Sequence, residues 1–179
     1  MGGQPRNIME TKITNVVIAG LGGQGVLKCS DILADAAFRE GWDVKKAEVH
    51  GMSQRGGSVS SDVRFGRQVF SPMVSPGQAD YLVVLEETQI EPTRHWLRPG
   101  GVLINAASMD VSALPSAKAL NVAALGMLSV HLTIGEASWL SALGAAFPEK
   151  LHEANEKAFR AGQAAKKRTA AGGGDPGSL

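Results

Sequence analysis

A glycine-rich hexapeptide near the start of the chain has the spacing of a phosphate-binding loop. It reads Gly20-Leu21-Gly22-Gly23-Gln24-Gly25, a GxGxxG motif. Glycines adopt positive φ and let a ligand approach the backbone, and the free N–H groups of a helix start attract phosphate. Between a strand and a helix, this motif predicts a site for a phosphorylated ligand without specifying which one. A tight turn that needs glycine for packing alone is the alternative.

A second loop, residues 50–58, carries many polar groups in a short stretch. Its sequence is His-Gly-Met-Ser-Gln-Arg-Gly-Gly-Ser. The imidazole of His50, two hydroxyls, the amide of Gln54 and the guanidinium of Arg55 lie within nine residues. Arginine pairs with phosphate or carboxylate in a bidentate manner. The loop follows a predicted strand, and open α/β sheets place their ligand crevice at such strand ends. This density favours a functional loop over an ordinary polar surface loop.

Two further residues have chemistry that the sequence leaves open or assigns to packing. Arg64 lies on the polar face of a predicted strand beside Asp62, so ligand contact and a salt bridge to Asp62 are equally supported. Cys29 is the single cysteine and falls on the apolar stripe of a predicted helix, which favours a buried packing residue over a nucleophile. One cysteine cannot supply the four thiolates of an ordinary iron–sulfur cluster. The histidines lack metal-ligand spacing, so the sequence predicts no metal site in this chain.

The elements that position the first loop are a strand and a helix. Residues 13–19 form a β-branched run ended by Gly20, which predicts a buried strand. Val26, Cys29, Leu33 and Ala36 then recur at helical spacing, so a helix is expected up to about Arg39, stopped by Gly41. Residues 43–49 are predicted as a second strand.

The rest of the chain alternates between strands and helices. Residues 58–65 alternate polar and apolar, which predicts a strand, and residues 68–70 are expected to pair with it as a short hairpin. Residues 81–85 and 102–104 are apolar strands around a short helix at 88–97. Helices are predicted at 121–132, 136–146 and after Pro148. The fold class is therefore α/β, a Rossmann-like, mostly parallel sheet flanked by helices, with a helical C-terminal third.

Composition limits the possible partners and location. The 179 residues fit one domain, predicted at 13–165 between a flexible leader (1–12) and a disordered tail (166–179). A net charge of +1 gives no reason to expect nucleic acid or an anionic membrane. There is neither an apolar run of about 20 residues nor an N-terminal signal sequence, so the cytoplasm is the expected location.

The motifs together resemble one family. Residues 20–25 after a strand, then residues 48–57 and 60–66, are similar to the gamma domain of the pyruvate:ferredoxin oxidoreductase superfamily. Within it, the pattern most resembles the beta subunits of indolepyruvate:ferredoxin oxidoreductases. The segment 121–126, the helix around Trp139 and Pro148-Glu-Lys are also similar to the C-terminal region of those subunits. The resemblance covers roughly residues 13–162.

The resemblance implies a subunit that does not act alone. The complete enzyme converts a 2-oxoacid and coenzyme A to acyl-CoA and CO2. Thiamine diphosphate lies on a large partner subunit, which also carries iron–sulfur clusters in the indolepyruvate type. The gamma domain covers that site and helps to bind coenzyme A. The residues that the resemblance places against coenzyme A are Gly20, Gly22, Gly23, Gln24 and Gly25, with Arg64 supporting the pocket. At the rim of the partner's active site it places His50, Ser53, Gln54 and Arg55.

One departure leaves the substrate open. Only fifteen residues separate Asn105 from Asn121, where an indolepyruvate subunit is expected to hold a longer stretch with another strand. Phenylglyoxylate and other arylglyoxylate oxidoreductases have comparable small subunits. Some members pass electrons to NAD through a flavin subunit rather than to ferredoxin, so the electron acceptor is open as well.

Two other classes of protein compete with this interpretation. A free-standing NAD(P)-binding oxidoreductase would use Glu48, near the end of the second strand, to bind the ribose hydroxyls. A nucleotide-sensing interaction module would bind a phosphorylated ligand without contributing to turnover. The loop at 50–57 and the lack of room for a substrate domain favour the oxidoreductase subunit.

Overall fold

A computed structural model describes residues 12–50 and 56–171 as a five-stranded sheet with helices on both faces. The strands are β1 (Thr14–Leu21), β2 (Asp43–His50), β3 (Ser58–Gly66), β4 (Ala79–Val84) and β5 (Leu97–Asn105). The α-helices are α1 (Val26–Arg39), α2 (Ile90–Thr93), α3 (Leu120–Ser129), α4 (Glu136–Ala146) and α5 (His152–Ala171). Short 3-10 turns lie on both sides of α2, precede α5 and occupy part of the interval between β5 and α3. None of the helices in the described ranges is both long and apolar enough to cross a membrane.

The strand order is β2-β3-β1-β4-β5. β1 pairs with β4, and β4 with β5, in parallel, whereas β3 runs antiparallel to both of its neighbours. Four strands therefore share one direction and only β3 opposes them. This confirms the predicted α/β class and its mostly parallel sheet.

The predicted hairpin partner at 68–70 is wrong. Those residues form no strand, because β1 and β2 already occupy both edges of β3. The Val69 N–H instead donates to the carboxylate of Asp43 at 2.8 Å, where β2 begins. The antiparallel pairing of β3 is thus made with strands on both sides.

The larger part of the core lies between α1 and one face of the sheet. Val16 and Ile18 of β1 meet Cys29 and Leu33 of α1, and all four are fully buried. A smaller cluster on the opposite face holds Val17 of β1 and Ala79, Leu82 and Val84 of β4 beneath the short helices around α2. These two clusters fix β1 and the start of α1, the two elements that frame the glycine motif.

The C-terminal third packs as three helices. The predicted helix at 136–146 is α4, and the helix expected at 121–132 is α3, which begins one residue earlier and ends three residues earlier. After a 3-10 turn, α5 continues to Ala171, so residue 166, the predicted start of the tail, falls inside a helix. Residues 1–11 and 172–179 lie outside the described residues.

Asp62 gives a prediction for stability. It is only 3% exposed, and its Oδ2 accepts the Val74 N–H at 2.9 Å. Burial raises the pKa of this carboxyl, although the Val74 hydrogen bond and the charge of Arg64 oppose the rise. The fold therefore disfavours the charged form, and this cost grows as the pH rises from about 3.8, the pKa of an unfolded aspartate. We expect Asp62→Asn to raise the free energy of unfolding at pH 7.

Urea unfolding of both proteins at pH 7 and pH 3 checks this expectation. The gain should vanish at pH 3, where Asp62 is protonated in both the folded and the unfolded chain. Asp110 is the control, because its exposed carboxylate accepts hydrogen bonds from Ser112 that lower its pKa. The free energy of unfolding of Asp110→Asn at pH 7 should be equal to or lower than that of the wild type. A less stable Asp62→Asn protein at pH 7 would contradict the prediction.

Candidate functional site

The site lies where the carboxyl ends of β1 and β4 meet the start of α1. β1 ends at Leu21, and the Leu85 N–H extends its pairing with β4 by donating to the Ala19 carbonyl at 2.9 Å. Gly25 precedes α1 in the left-handed conformation, with φ +83°. Parallel strands place ligand crevices at this edge of a sheet.

Gly20 and Gly22 are needed for packing. A Cβ on Gly20 would lie 2.9 Å from Cγ2 of Val26 and 2.8 Å from Oε1 of Gln24. A Cβ on Gly22 would lie 3.2 Å from the Gly56 nitrogen, and the Gly22 N–H donates to the Gly57 carbonyl at 2.9 Å. Gly20 therefore lets the motif pack against the start of α1, and Gly22 brings the end of the second loop against the first. This is the packing role that the sequence left open.

Gly23 and Gly25 have a different role, because both have positive φ and both line a cavity. No atom of the described residues other than its chain neighbours lies within 4 Å of where a Cβ on Gly23 would be, whereas a Cβ on Gly25 would come 2.5 Å from Nδ2 of Asn121. The N–H groups of Leu21, Gly22 and Gln24 are bonded within the protein.

Within the described part of the chain, the N–H groups of Gly23 and Gly25 have no intramolecular acceptor. The first N–H groups of any α-helix also lack intrahelical partners, and α1 has no side-chain cap. Residues 23–25, the half of the motif that leads into α1, are therefore the part that can donate backbone hydrogen bonds to a ligand.

The cavity has a volume of about 560 Å³ and lies between the two helix starts. It is lined by Gly23, Gln24, Gly25, Leu85, Ala117, Lys118, Leu120 and Asn121. The second wall is the 3-10 turn Ala117–Ala119, capped by Ser116, which leads into α3. The start of α3 thus faces the start of α1 across the cavity.

The electrostatics of this cavity favour an anion. Neither α1 nor α3 has an acidic residue in its first turn, so no carboxylate within either first turn offsets the positive end of the helix dipole. Lys118 adds an exposed ammonium on the second wall. The carboxylate of Glu86, just past β4, accepts a hydrogen bond from Gln24 at 3.1 Å.

Lys118 and Asn121 were not predicted as site residues. Asn121 is 8% exposed, and its Nδ2 donates to the Gly25 carbonyl at 3.5 Å. Both residues reach the glycine motif only through the packing of α3 against α1. The one available signal was Ser116, a helix-capping residue type directly before an apolar helix.

The structure places Arg64 at the other end of the sheet. Arg64 pairs with Asn15 at the start of β1, whereas Gly20 pairs with Val59. Five residues of strand separate the two positions, about 17 Å. The Arg64 guanidinium donates to Oδ1 of Asn15 at 2.8 Å and to the Ser71 carbonyl at 2.7 Å. It is not brought together with the glycine motif.

The polar residues of the second loop lie mostly beyond what the structure describes. Ser53, Gln54 and Arg55 are outside the described residues. The backbone of His50 ends β2 and pairs with Val59, which is also opposite Gly20. The loop therefore starts level with the glycine motif. It also ends beside the motif, because the Gly22 N–H donates to the Gly57 carbonyl.

The strand order weighs against a dinucleotide site that uses Glu48. This residue is level with Ile18 but separated from it by β3, so about 10 Å of sheet lies between them. In a dinucleotide-binding fold the second strand lies directly beside the first. The Glu48 carboxylate also accepts a hydrogen bond from Lys46 at 2.7 Å.

Cys29 is a packing residue, as predicted. It is fully buried, and its Sγ donates to the Asn121 carbonyl at 3.5 Å. Burial raises the pKa of the Cys29 thiol, which keeps it protonated and unreactive. No group of three or more histidine, cysteine, aspartate or glutamate side chains among the described residues could hold a metal ion.

Sequence comparison places the chain among 2-oxoacid oxidoreductases. A family model described as pyruvate ferredoxin/flavodoxin oxidoreductase matches residues 15–165. The chain is 44% identical over 93 residues to the indolepyruvate oxidoreductase subunit IorB of Thermococcus kodakarensis, covering 52% of this chain and 46% of that protein. It is 35% identical over 153 residues to the ketoisovalerate oxidoreductase subunit VorA of Methanothermobacter marburgensis, covering 84% of this chain and 31% of that protein. The chain thus spans about half the length of the first relative and a third of the second.

Solved structures share the fold. The gamma subunit of a keto/oxoacid ferredoxin oxidoreductase from Geobacter sulfurreducens matches with a TM-score of 0.74 and 23% identity, covering 90% of this chain and 98% of that one. A chain of the 2-oxoglutarate:ferredoxin oxidoreductase from Magnetococcus marinus, solved with 2-oxoglutarate, coenzyme A and succinyl-CoA, matches with a TM-score of 0.77 and 22% identity. The match covers 95% of this chain and 33% of that one. With the family match over residues 15–165, the chain belongs to the pyruvate ferredoxin/flavodoxin oxidoreductase family, as the two loop motifs predicted.

Proposed function

We propose that this chain is the small, gamma-type subunit of a thiamine-diphosphate-dependent 2-oxoacid oxidoreductase, in which it binds coenzyme A and covers the active site of a larger partner subunit. The observation that supports this best is the cavity at the glycine motif. Its walls combine the free N–H groups of Gly23 and Gly25 with the ammonium of Lys118. Membership of the pyruvate ferredoxin/flavodoxin oxidoreductase family supports the proposal that the anion bound there is coenzyme A.

The residues of the cavity fit the phosphates of coenzyme A. Gly23 and Gly25 offer N–H donors without a competing Cβ, and the start of α1 adds its dipole. Lys118 would neutralise charge from the opposite wall. Bound coenzyme A would supply the thiol that accepts the acyl group. The part of this chain is to bind and orient the phosphate end of that molecule.

Thiamine diphosphate and iron–sulfur clusters are assigned to partner subunits in this proposal. The chain has one thiol, Cys29, and its burial and raised pKa make it unsuitable as a thiolate ligand. Residues 50–57 are proposed to face the partner's active site, with His50, Ser53, Gln54 and Arg55 at its rim. The start and end of this loop beside the glycine motif support that orientation.

The proposed substrate is an aryl 2-oxoacid, indolepyruvate-like or phenylglyoxylate-like. The name of the IorB relative supports the indolepyruvate type. The interval between Asn105 and Asn121 holds three short 3-10 turns and no strand, which keeps the phenylglyoxylate-like type in the proposal. Ferredoxin, or NAD through a flavin subunit, is the proposed electron acceptor, and the cytoplasm the proposed location.

Co-purification from the native host tests the subunit assignment. We expect the tagged full-length chain to recover a stoichiometric larger subunit that carries thiamine diphosphate. The complex should release CO2 from an aryl 2-oxoacid only when coenzyme A and an electron acceptor are present. A chain that is recovered alone and retains NAD(P) would contradict the proposal.

Lys118→Ala tests the anion site. Removal of a charged hydrogen-bond donor to phosphate should weaken coenzyme A binding by about tenfold. Calorimetry on the complex measures the dissociation constant, and the difference should shrink at high salt. Lys150→Ala is the matched control, because it removes the same charge from an exposed lysine that does not line the cavity. Equal effects from both substitutions would exclude a specific role for Lys118.

A further inference from the structure

The side chain of Gln24 is already engaged at both ends. Its Oε1 accepts the Leu21 N–H at 2.7 Å, and its Nε2 donates to Oε2 of Glu86 at 3.1 Å. Gly20 makes room for this arrangement, since a Cβ there would lie 2.8 Å from the Gln24 oxygen. Gln24 was predicted to contact the ligand, yet its amide spans from the end of β1 to the residue after Leu85.

We propose that Gln24 and Glu86 are a positioning pair that determines which N–H groups of the glycine motif face the cavity. This inference rests on the proposed coenzyme A site and adds to it two residues that act through the loop. An ionised glutamate only accepts hydrogen bonds. Glu86 therefore holds the NH2 end of the Gln24 amide and turns the oxygen towards Leu21.

The pair divides the motif into two parts. The N–H of Leu21 is bonded to Gln24 and that of Gly22 to Gly57, so the first part is fixed inside the protein. The N–H groups of Gly23 and Gly25 are left for the ligand. Without the Gln24 amide, the Leu21 N–H would lose its acceptor, and the turn that presents Gly23 would lose the contact that defines its shape.

The pair also holds a negative charge in place. Leu85 lines the cavity, whereas its neighbour Glu86 is not among the lining residues. Glu86 lies one residue beyond the wall of an anion site, where a carboxylate turned inward would repel phosphate. Its bond to Gln24 keeps the carboxylate on the loop instead.

Four variants of the full-length chain test the pair. Gln24→Met removes both hydrogen bonds without adding charge. Gln24→Glu sets two carboxylates against each other, and Glu86→Gln alone keeps an acceptor for Gln24. The double variant Gln24→Glu/Glu86→Gln exchanges the two roles, because a glutamate at 24 can accept both the Leu21 N–H and a glutamine NH2 from position 86.

Two measurements are made on each protein. The first is the hydrogen-exchange rate of the Leu21 amide without ligand, followed by NMR. The second is the affinity for coenzyme A by calorimetry. We expect Gln24→Met and Gln24→Glu to speed Leu21 exchange and to weaken coenzyme A binding about tenfold. Glu86→Gln alone lets the Gln24 amide turn either way, so it should have a smaller effect on both measurements than Gln24→Met, and the double variant should recover most of both losses.

The results separate this inference from the function on which it rests. Wild-type Leu21 exchange in Gln24→Met, or a double variant no better than Gln24→Glu, would overturn the positioning pair. If the wild-type chain does not bind coenzyme A, the proposed function fails, and the Leu21 exchange rates still decide whether the pair shapes the loop. If thermal unfolding shows that Gln24→Met does not fold, the comparison of Gln24→Glu with the double variant decides whether the positioning pair exists.

Discussion

Gly162→Ala should lower the free energy of unfolding by about 3 kcal/mol or more, the largest effect on stability that we expect from one methyl group. A Cβ on Gly162 would lie 1.9 Å from the Ala123 carbonyl oxygen, and a Cβ on Gly126 would lie 2.0 Å from the Phe159 carbonyl oxygen. The backbones of α3 and α5 therefore touch at two reciprocal glycines. A methyl group on either one must separate the helices, because a backbone carbonyl cannot move aside as a side chain can.

Gly144→Ala is the matched control. Gly144 lies within α4, and the nearest atom to its Cβ position is Cε1 of His152 at an ordinary 3.7 Å. Alanine has a better helix propensity than glycine by about 1 kcal/mol, so this substitution should stabilise the protein. Urea unfolding followed by circular dichroism measures both variants. If Gly162→Ala is as stable as the wild type, the close packing of α3 on α5 is not required.

Separation of α3 from α5 also affects the cavity. Asn121 at the start of α3 contacts Gly25, and Lys118 precedes the same helix. A shift of α3 would therefore move the second wall of the anion site. We expect Gly162→Ala to weaken coenzyme A binding as well as stability, although Gly162 does not line the cavity.

The sequence predicted the elements that depend on local patterns. The β-branched run before Gly20 and the helical spacing after it are β1 and α1, because the hydrophobic period is set by neighbours in the chain. The insertion of β3 between β1 and β2 was not predicted. Strand order depends on pairing between distant segments, and the alternating pattern of β3 specifies a half-buried strand but not its partners. The wrong hairpin at 68–70 has the same cause.

The candidate site shows the same limit. The GxGxxG spacing predicted an anion site at the start of α1, but it could not distinguish the glycines needed for packing from those that line the cavity. That distinction follows from the contacts of Gly22 with Gly56 and of Gly20 with Leu85, which join segments that are distant in the chain. Lys118 and Glu86 come close to the motif through the packing of α3 and the pairing of β4, and no pattern within the motif itself points to them. Arg64 has a suitable charge, yet the register of β3 places it at the far end of the sheet.

Gly23→Ala should weaken coenzyme A binding by about a hundredfold, because the substitution disturbs phosphate contacts at both free N–H groups. Gly23 has φ +90° and lines the cavity, so a side chain there would both strain the backbone and enter the space of the phosphate. The strain of an L-residue in this conformation is about 1–2 kcal/mol and would lower stability as well. Calorimetry with coenzyme A and urea unfolding measure the two effects separately.

Gly41→Ala separates binding from backbone strain. Gly41 has φ +96°, and as for Gly23 no described residue beyond its chain neighbours has an atom within 4 Å of its Cβ position, so the two substitutions carry nearly the same backbone strain. Gly41 follows the C-terminus of α1, at the end of the helix opposite the cavity. The two variants should therefore lose similar stability, and only Gly23→Ala should lose affinity. Equal affinities in both would mean that phosphate does not bind at the glycine motif, whereas a selective loss at Gly23 would assign the anion to the start of α1.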